Sequence, residues 1–322
     1  MKKIILLTFV LVWIIPSFLL SFFDQPNDSV EFKPHDPEEE STSQMPEKNE
    51  PIKSSPTVSV LKNDKIEYME LEDYVLCVVL AEMPADFDVE ALKAQAVVAR
   101  TYTCKKMDDP KHKNASLCID SGCCQAFMDE ASYLFKGGTK ENLQKVRDAV
   151  DSTAGMVLLY QGELIEATYF SCSGGKTEDA AAVWGAEVPY LQSVDSPGEE
   201  LASHYTDTVR FSVREFCNKL GLSQNQAVSV ENITYTSGGG VASVVFQGNS
   251  FTGTEIRQKL GLRSTAFVIT VAGSTVTVTT KGFGHRVGMS QYGAEAMAVK
   301  GSTYREILSH YYTDTTISDL SG

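Results

Sequence analysis

One glutamate, and a cluster of one histidine with three cysteines, are the side chains of this 322-residue sequence whose types and spacing most directly suggest chemistry. Leu71, Tyr74, Val75, Val78 and Val79 recur at three- and four-residue intervals, the period of an amphipathic helix. Glu82 stands four residues beyond Val78 and three beyond Val79, so on an ideal helix its carboxyl joins the apolar face. Desolvation there penalises the ionised form, raises the pKa and leaves an acid able to hold its proton near neutral pH. The alternative is a carboxylate at a frayed helix end, bonded to nearby backbone or to a cation. Asp86 and Asp88 follow closely. They are candidates for a second carboxylate working beside Glu82, or else capping and surface acids, Asp88 preceding the next helix.

His112, Cys118, Cys123 and Cys124 place four nitrogen or sulfur donors within thirteen residues, the inventory of a closed tetrahedral zinc site. The spacing follows no standard zinc-finger pattern, and structural zinc, disulfides and free thiols stand as alternatives. A zinc held by all four would have no open position, so it would staple a loop and leave the chemistry to other groups. Seven cysteines is an odd count for a complete disulfide framework. A zinc hydrolase built on His285 and this cluster lacks support, because no His-Glu-x-x-His pattern is present.

These residues need elements to hold them. The stripe from Leu71 predicts a helix that Pro84 stops, and residues 89–104, rich in helix formers, predict a second. Glu82-Met83-Pro84 therefore lies between two helices. Residues 156–160 and 163–170 flank Gln161-Gly162 and predict a β-hairpin. Further strands are expected at 228–236, 241–246, 266–271 and 274–280. Helices are expected at 213–220, 254–260, 291–300 and 303–311. The mixture predicts an α+β fold: one globular unit over 58–322, with a helical core and a β-rich subregion at about 205–280.

The N-terminal part is different. Residues 4–23 are an uncharged run of 20 preceded by Lys2 and Lys3, long enough for a single membrane span with the lysines on the cytoplasmic side. A cleaved signal peptide is the rival reading, yet the run ends in Phe22-Phe23-Asp24 without a small-x-small site. Residues 24–57 hold six of the eleven prolines and nine acidic residues, a composition that predicts a disordered tether. The formal charge of −14 and the lack of a basic stripe argue against a nucleic-acid partner.

Three blocks carry a resemblance. Leu80-Ala81-Glu82-Met83-Pro84 with the run from Glu90 to Tyr102, then Ser171-Cys172-Ser173-Gly174-Gly175-Lys176-Thr177-Glu178, then the run from Gly282 to Ala294 resemble in order the motifs of the stage II sporulation protein D family. Together they span most of the region after the tether. Two positions depart from the family pattern: Cys172 stands where a threonine is common, and Arg286 replaces the glycine after the histidine.

The resemblance implies a lytic transglycosylase. Such an enzyme cuts peptidoglycan glycan strands between N-acetylmuramic acid and N-acetylglucosamine, leaving 1,6-anhydro ends, during engulfment of the forespore. Glu82 would act first as acid and then as base, and no cofactor is needed for the chemistry. It also implies an extracytoplasmic catalytic region on the mother-cell membrane, facing the intermembrane space. The implied partners are stage II sporulation protein P, an amidase and endopeptidase, and stage II sporulation protein M. Some members enhance cell-wall amidases, so an anchored, non-catalytic glycan-binding activator is the alternative.

Around Glu82, the residues suited to gripping a sugar are Gln95 and Arg100 on the second helix, Arg100 being equally suited to a structural ion pair. Ser171, Ser173, Gly174 and Gly175 form a small-residue loop open to close approach. No Gly-x-Ser-x-Gly elbow marks a serine nucleophile there. His285, Ser290, Gln291 and Tyr292 complete a polar and aromatic set expected to bind or position substrate.

Overall fold

The computed structural model describes residues 56–203 and 205–320. The expected membrane span and nearly all of the expected tether lie outside them. Among the described residues no helix is long and apolar enough to cross a membrane.

The chain opens with the hairpin β1 (Thr57–Lys62) and β2 (Lys65–Glu70), then α1 (Leu71–Glu82) and α2 (Val89–Asp108). A short β3 (Leu117–Cys118) pairs parallel to β1. It is followed by α3 (Glu130–Phe135), α4 (Lys140–Asp151), β4 (Met156–Tyr160), β5 (Glu163–Leu164), β6 (Tyr169–Phe170) and the one-turn α5 (Ala180–Trp184). A β-rich stretch comes next: β7 (Thr206–Ser212), α6 (Val213–Leu220), β8 (Asn232–Tyr235), β9 (Val241–Phe246), β10 (Asn249–Thr252), α7 (Gly253–Leu260), β11 (Phe267–Ala272) and β12 (Thr275–Lys281). The chain then returns through β13 (Met289–Ser290), α8 (Gln291–Val299), α9 (Tyr304–Tyr311) and β14 (Thr316–Asp319). The architecture is α+β.

Two apolar cores result. The larger gathers α1, α2, α4, α8 and α9 with β1 and β4. The smaller is built by Phe211, Phe216, Val244, Phe246, Ile256 and Val276 of the β-rich stretch. Eight of the twelve residues of α1 are buried, which is why apolarity continues around that helix instead of forming a narrow stripe.

The expected second hairpin strand at 163–170 is corrected. Only Glu163 and Leu164 pair with β4. Tyr169 and Phe170 leave that sheet to pair parallel with Met289 and Ser290, so the motif after residue 282 is bound directly to the chain before Ser171. The helices α3 and α4 and the strand β7 were not read from the sequence. Their two N-cap side chains, Asp129 accepting from the Ser132 amide and Thr139 from the Asn142 amide, are polar signals too local to reveal packing.

Of the two readings of Arg100, the structure shows the ion pair and corrects the sugar-binding one. Arg100 is fully buried, and its guanidinium makes a two-pronged contact with Glu72 at 2.6–3.1 Å while donating to the carbonyls of Met156 and Val150. Glu72 begins α1 and Glu82 ends it, about 15 Å apart at 1.5 Å per residue. Arg100 therefore ties the opposite end of α1 to β4 and α4, and holds neither Glu82 nor a sugar. Replacing Glu72 by Ala would strand this cation in the core. It should cost about 3 kcal/mol in chemical denaturation and leave the surroundings of Glu82 unchanged below the unfolding transition.

Candidate active site

Glu82 is the last residue of α1. Met83, in extended conformation, ends the helix, and Pro84 cannot prolong it. The carboxyl emerges at the floor of a cleft of about 550 Å³, lined also by Tyr102, Gln125, Glu166, Tyr169, Phe283 and Gln291. Its Oε1 accepts the Ala126 N–H at 2.7 Å. The Tyr169 hydroxyl lies within hydrogen-bonding reach of the same carboxyl, and donates at 3.2 Å to Gln125 Oε1. Burial raises the pKa of Glu82, against the opposing pull of the Ala126 and Tyr169 bonds. Burial, with Glu82 beside it, holds the Tyr169 phenol well above its ordinary value, so it remains an O–H donor.

Of the residues expected to bind sugar, Ser171, His285 and Gln291 line the cleft. Gln95 sits behind them, fully buried, and accepts from Gln291 Nε2 at 3.4 Å. Ser173, Gly174, Ser290 and Tyr292 are corrections. The amides of Ser173 and Gly174 donate to Glu199 Oε2 at 2.7 and 2.9 Å, and the Ser173 hydroxyl to Oε1 at 2.9 Å. The small-residue loop is thus wrapped around a buried carboxylate, and those donors are spent. A side chain at Gly174 would also strike the Lys281 backbone at 2.9 Å. Ser290 is buried as the N-cap of α8, its hydroxyl accepting from Gly293 N–H. Tyr292 packs edge-on against Phe87, with ring centres 5.1 Å apart, in a separate cavity shared with Asp86 and Glu295.

Asp86 and Asp88 do not reach the cleft either. Asp88 caps α2 by accepting from Glu90 N–H at 2.9 Å. The second carboxyl in the cleft is Glu166, held by Lys106 at 3.1 Å. Sequence reading missed Glu166, Tyr169, Tyr102 and Glu199. An aromatic next to the Ser171 block was the available signal for Tyr169, and nothing local marked the others.

His285 is occupied on both sides of its ring. Nδ1 accepts the Val287 N–H at 3.1 Å, and the other nitrogen donates to the Tyr169 backbone. Its ring packs between Phe170 and Trp184, each at 5.6 Å. Burial and the nearby Arg257 charge push its pKa down to about 4. A neutral imidazole with both nitrogens engaged positions the strand carrying Tyr169 and is not free to transfer protons.

Known proteins are similar to this chain over most of its length. The stage II sporulation protein family matches residues 61–160, from β1 through both core helices to β4. Stage II sporulation protein D of Bacillus subtilis (strain 168) is 43% identical over 282 residues, covering 85% of this chain and 82% of that protein. The chain belongs to the stage II sporulation protein D family. The Bacillus amyloliquefaciens member is 42% identical over 280 residues, covering 84% of this chain and 81% of its own. A protein of B. subtilis (strain 168) named amidase enhancer is 30% identical over 292 residues, which cover 74% of this chain and 39% of that longer one.

In this family member the cysteine cluster sits at the cleft edge. The donor atoms of His112, Cys118, Cys123 and Cys124 all lie within 4.8 Å of one another. His112 Nε2 is 3.4 Å from Cys124 Sγ and 3.7 Å from Cys123 Sγ, and the two sulfurs are 3.9 Å apart. Zinc bonds of about 2.0–2.3 Å at tetrahedral angles require donor separations of roughly 3.5–3.8 Å, so His112, Cys123 and Cys124 are spaced for the ion and Cys118 lies close enough to be the fourth donor. A disulfide needs a sulfur separation of about 2.05 Å, and all seven cysteines are free thiols. Cys124 lines the cleft, and two residues on, Ala126 meets Glu82.

The raised pKa of Glu82 has a thermodynamic signature. Below about pH 4.3 the carboxyl is protonated folded and unfolded alike. As pH rises further the unfolded chain releases this proton while the folded chain keeps it, and stability falls until the folded pKa is passed. A glutamine there does not titrate. The melting temperature of Glu82→Gln should therefore match wild type at pH 4 and exceed it at pH 8; a difference independent of pH would refute the buried-acid assignment.

Proposed function

We propose that the protein is a peptidoglycan lytic transglycosylase of sporulation, cutting glycan strands between N-acetylmuramic acid and N-acetylglucosamine with Glu82 as acid and then base. The observation that carries this reading is a desolvated carboxyl of raised pKa lining an open cleft, with one backbone donor and one tyrosine beside it.

In the first step the Glu82 proton passes to the bridging glycosidic oxygen as the bond to the muramyl anomeric carbon breaks. The new carboxylate keeps the Ala126 N–H, and the Tyr169 hydroxyl, by turning from Gln125, supplies a second charge-assisted bond. In the second step the carboxylate takes the proton of the sugar's own 6-hydroxyl, whose oxygen closes on the anomeric carbon. Glu82 is an acid again and no water is consumed. Glu166, engaged by Lys106, serves as a wall of the cleft.

We further propose that the His112–Cys118–Cys123–Cys124 cluster holds a structural zinc, which would fix the loop that brings Ala126 to Glu82. The chain would act outside the cytoplasm on a membrane anchor, with an amidase of the stage II sporulation protein P kind stripping the strands and stage II sporulation protein M beside it. The relative named amidase enhancer favours a second reading, a glycan-binding amidase activator that cuts nothing.

Peptide-free glycan strands separate the readings. Wild type should release fragments with anhydro ends by mass spectrometry, Glu82→Gln should lose about 100-fold or more, and Glu166→Gln should retain activity. Reducing ends lost with Glu166→Gln would indicate hydrolysis by a carboxylate pair. Strand binding without cleavage by wild type would indicate the activator. For the metal, elemental analysis of the purified protein should find about one zinc per chain, and a chelator should lower the melting temperature of wild type but not of Cys118→Ser/Cys124→Ser.

A further inference from the structure

The Tyr74 hydroxyl, on α1 about two turns before Glu82, is fully buried and has no hydrogen-bond partner. More than about nine in ten buried polar groups in folded proteins find one. The Tyr74 ring packs on Phe127 with centres 5.9 Å apart, and the Gln125 amide nitrogen is turned toward the Tyr74 oxygen without closing a bond. Gln125 is itself 1% exposed. Its Nε2 donates to Thr103 Oγ1 at 3.1 Å, and its Oε1 accepts the Tyr169 proton at 3.2 Å.

These bonds share one direction. Thr103 has a single hydroxyl proton, which goes to the Ala99 carbonyl at 2.8 Å, so toward Gln125 it can only accept. Gln125 must therefore present its nitrogen to Thr103 and its oxygen to Tyr169, and Tyr169 must spend its proton on that oxygen. What Tyr169 has left for Glu82 is lone pairs, the arrangement that suits a protonated carboxyl.

An ionised Glu82 needs the reverse. If Tyr169 alone turns its proton to the carboxylate, Gln125 Oε1 is left bare in the core beside a Tyr74 hydroxyl that already lacks an acceptor. Half a turn of the Gln125 amide about its last side-chain bond, a torsion with two broad wells, removes both defects. The amide nitrogen then donates to the Tyr169 oxygen, and the amide oxygen receives the Tyr74 proton. Every proton stays on its own atom and no covalent bond changes.

We infer that Tyr74 and Gln125 are positioning residues for Glu82, forming with Tyr169 a hydrogen-bond relay that reverses when the acid becomes a carboxylate. The unpartnered hydroxyl of Tyr74 is the donor held for the reversed state. The use of this relay in catalysis rests on the function proposed above; the relay itself needs only an ionised Glu82, which titration supplies. The other titratable groups lining the cleft are Tyr102 on α2, Cys124, Glu166 with its Lys106, and His285. Those acting on Tyr74 are Tyr102, Cys118 and Cys124. Tyr169 is the side chain within hydrogen-bonding reach of the carboxyl, and it alone links Glu82 to Gln125.

The test uses the full-length chain in detergent micelles, without substrate. As pH rises through the ionisation of Glu82, followed by NMR at its carboxyl carbon, the Gln125 side-chain amide protons should shift with the same midpoint. Their nuclear Overhauser contacts should pass from Thr103 to the Tyr169 ring. Glu82→Gln should abolish both changes. Tyr74→Phe removes one oxygen and keeps the ring; it should hold the amide in its first orientation and raise the Glu82 midpoint by about 0.5–1 pH unit, the worth of one hydrogen bond. On a Tyr169→Phe background the same substitution should leave the midpoint where it was. Gln125 signals indifferent to Glu82, or a Tyr74→Phe shift that persists without Tyr169, would overturn the relay. Wild type that shows the relay yet releases no anhydro ends from glycan strands would remove the transglycosylase and leave the relay standing; anhydro ends from a chain whose Gln125 signals never move would do the opposite.

Discussion

A carboxyl group taken out of water must either be given donors or resist ionisation, and this molecule contains both cases. Glu199 is given donors: two amides, the hydroxyls of Ser173 and Ser196, and the Cys172 thiol. That crowd of donors fixes the loop from Ser171 to Gly175 and leaves it no freedom to adapt. It also explains Gly293, where an added methyl would fall 2.0 Å from Tyr311 Oη and 2.2 Å from Ser196 Oγ. Glu82 is given one amide and a share in one tyrosine, too little to offset its desolvation. The contrast in the number of donors separates a structural carboxylate from the one proposed to react.

The parts of the site that were legible in the sequence were those set by local periodicity. The apolar stripe from Leu71, the proline at 84 and the helix formers after Val89 place Glu82 at a helix end on a buried face, and the helices lie where that pattern puts them. The polar parts were misread for one reason. Ser173, Gly174, Ser290 and Arg100 have the chemistry of ligand binders, but their partners lie inside the protein, between 25 and 28 residues away for Gly174, Ser173 and Arg100. Composition shows that a group can form hydrogen bonds and says nothing of which distant carboxylate will take them. Tyr169 was missed because β6 is two residues long, too short for alternation to show.

Rigidity converges on Tyr169 from three sides. His285 holds its backbone, β13 pairs with its strand, and Gln125 receives its hydroxyl. Ala126, next to Gln125, reaches the other side of the Glu82 carboxyl. The acid therefore stands between two supports that belong to different parts of the chain, the cysteine loop and the β6–β13 pair. Neither support is needed to form α1, and both are needed to define where its last side chain points.

That parallel pair has a consequence for the order in which the molecule is made. The Thr168 hydroxyl bonds the Val287 carbonyl, 119 residues further along the chain, beside the pairing of Tyr169 with Met289. The two core helices can pack on each other as soon as they leave the ribosome, since their contacts are local. The cleft cannot close until almost the last segment has emerged. A nascent chain would carry its acid early and its tyrosine support late, so any fragment released before the C-terminal block would have Glu82 without the geometry to use it.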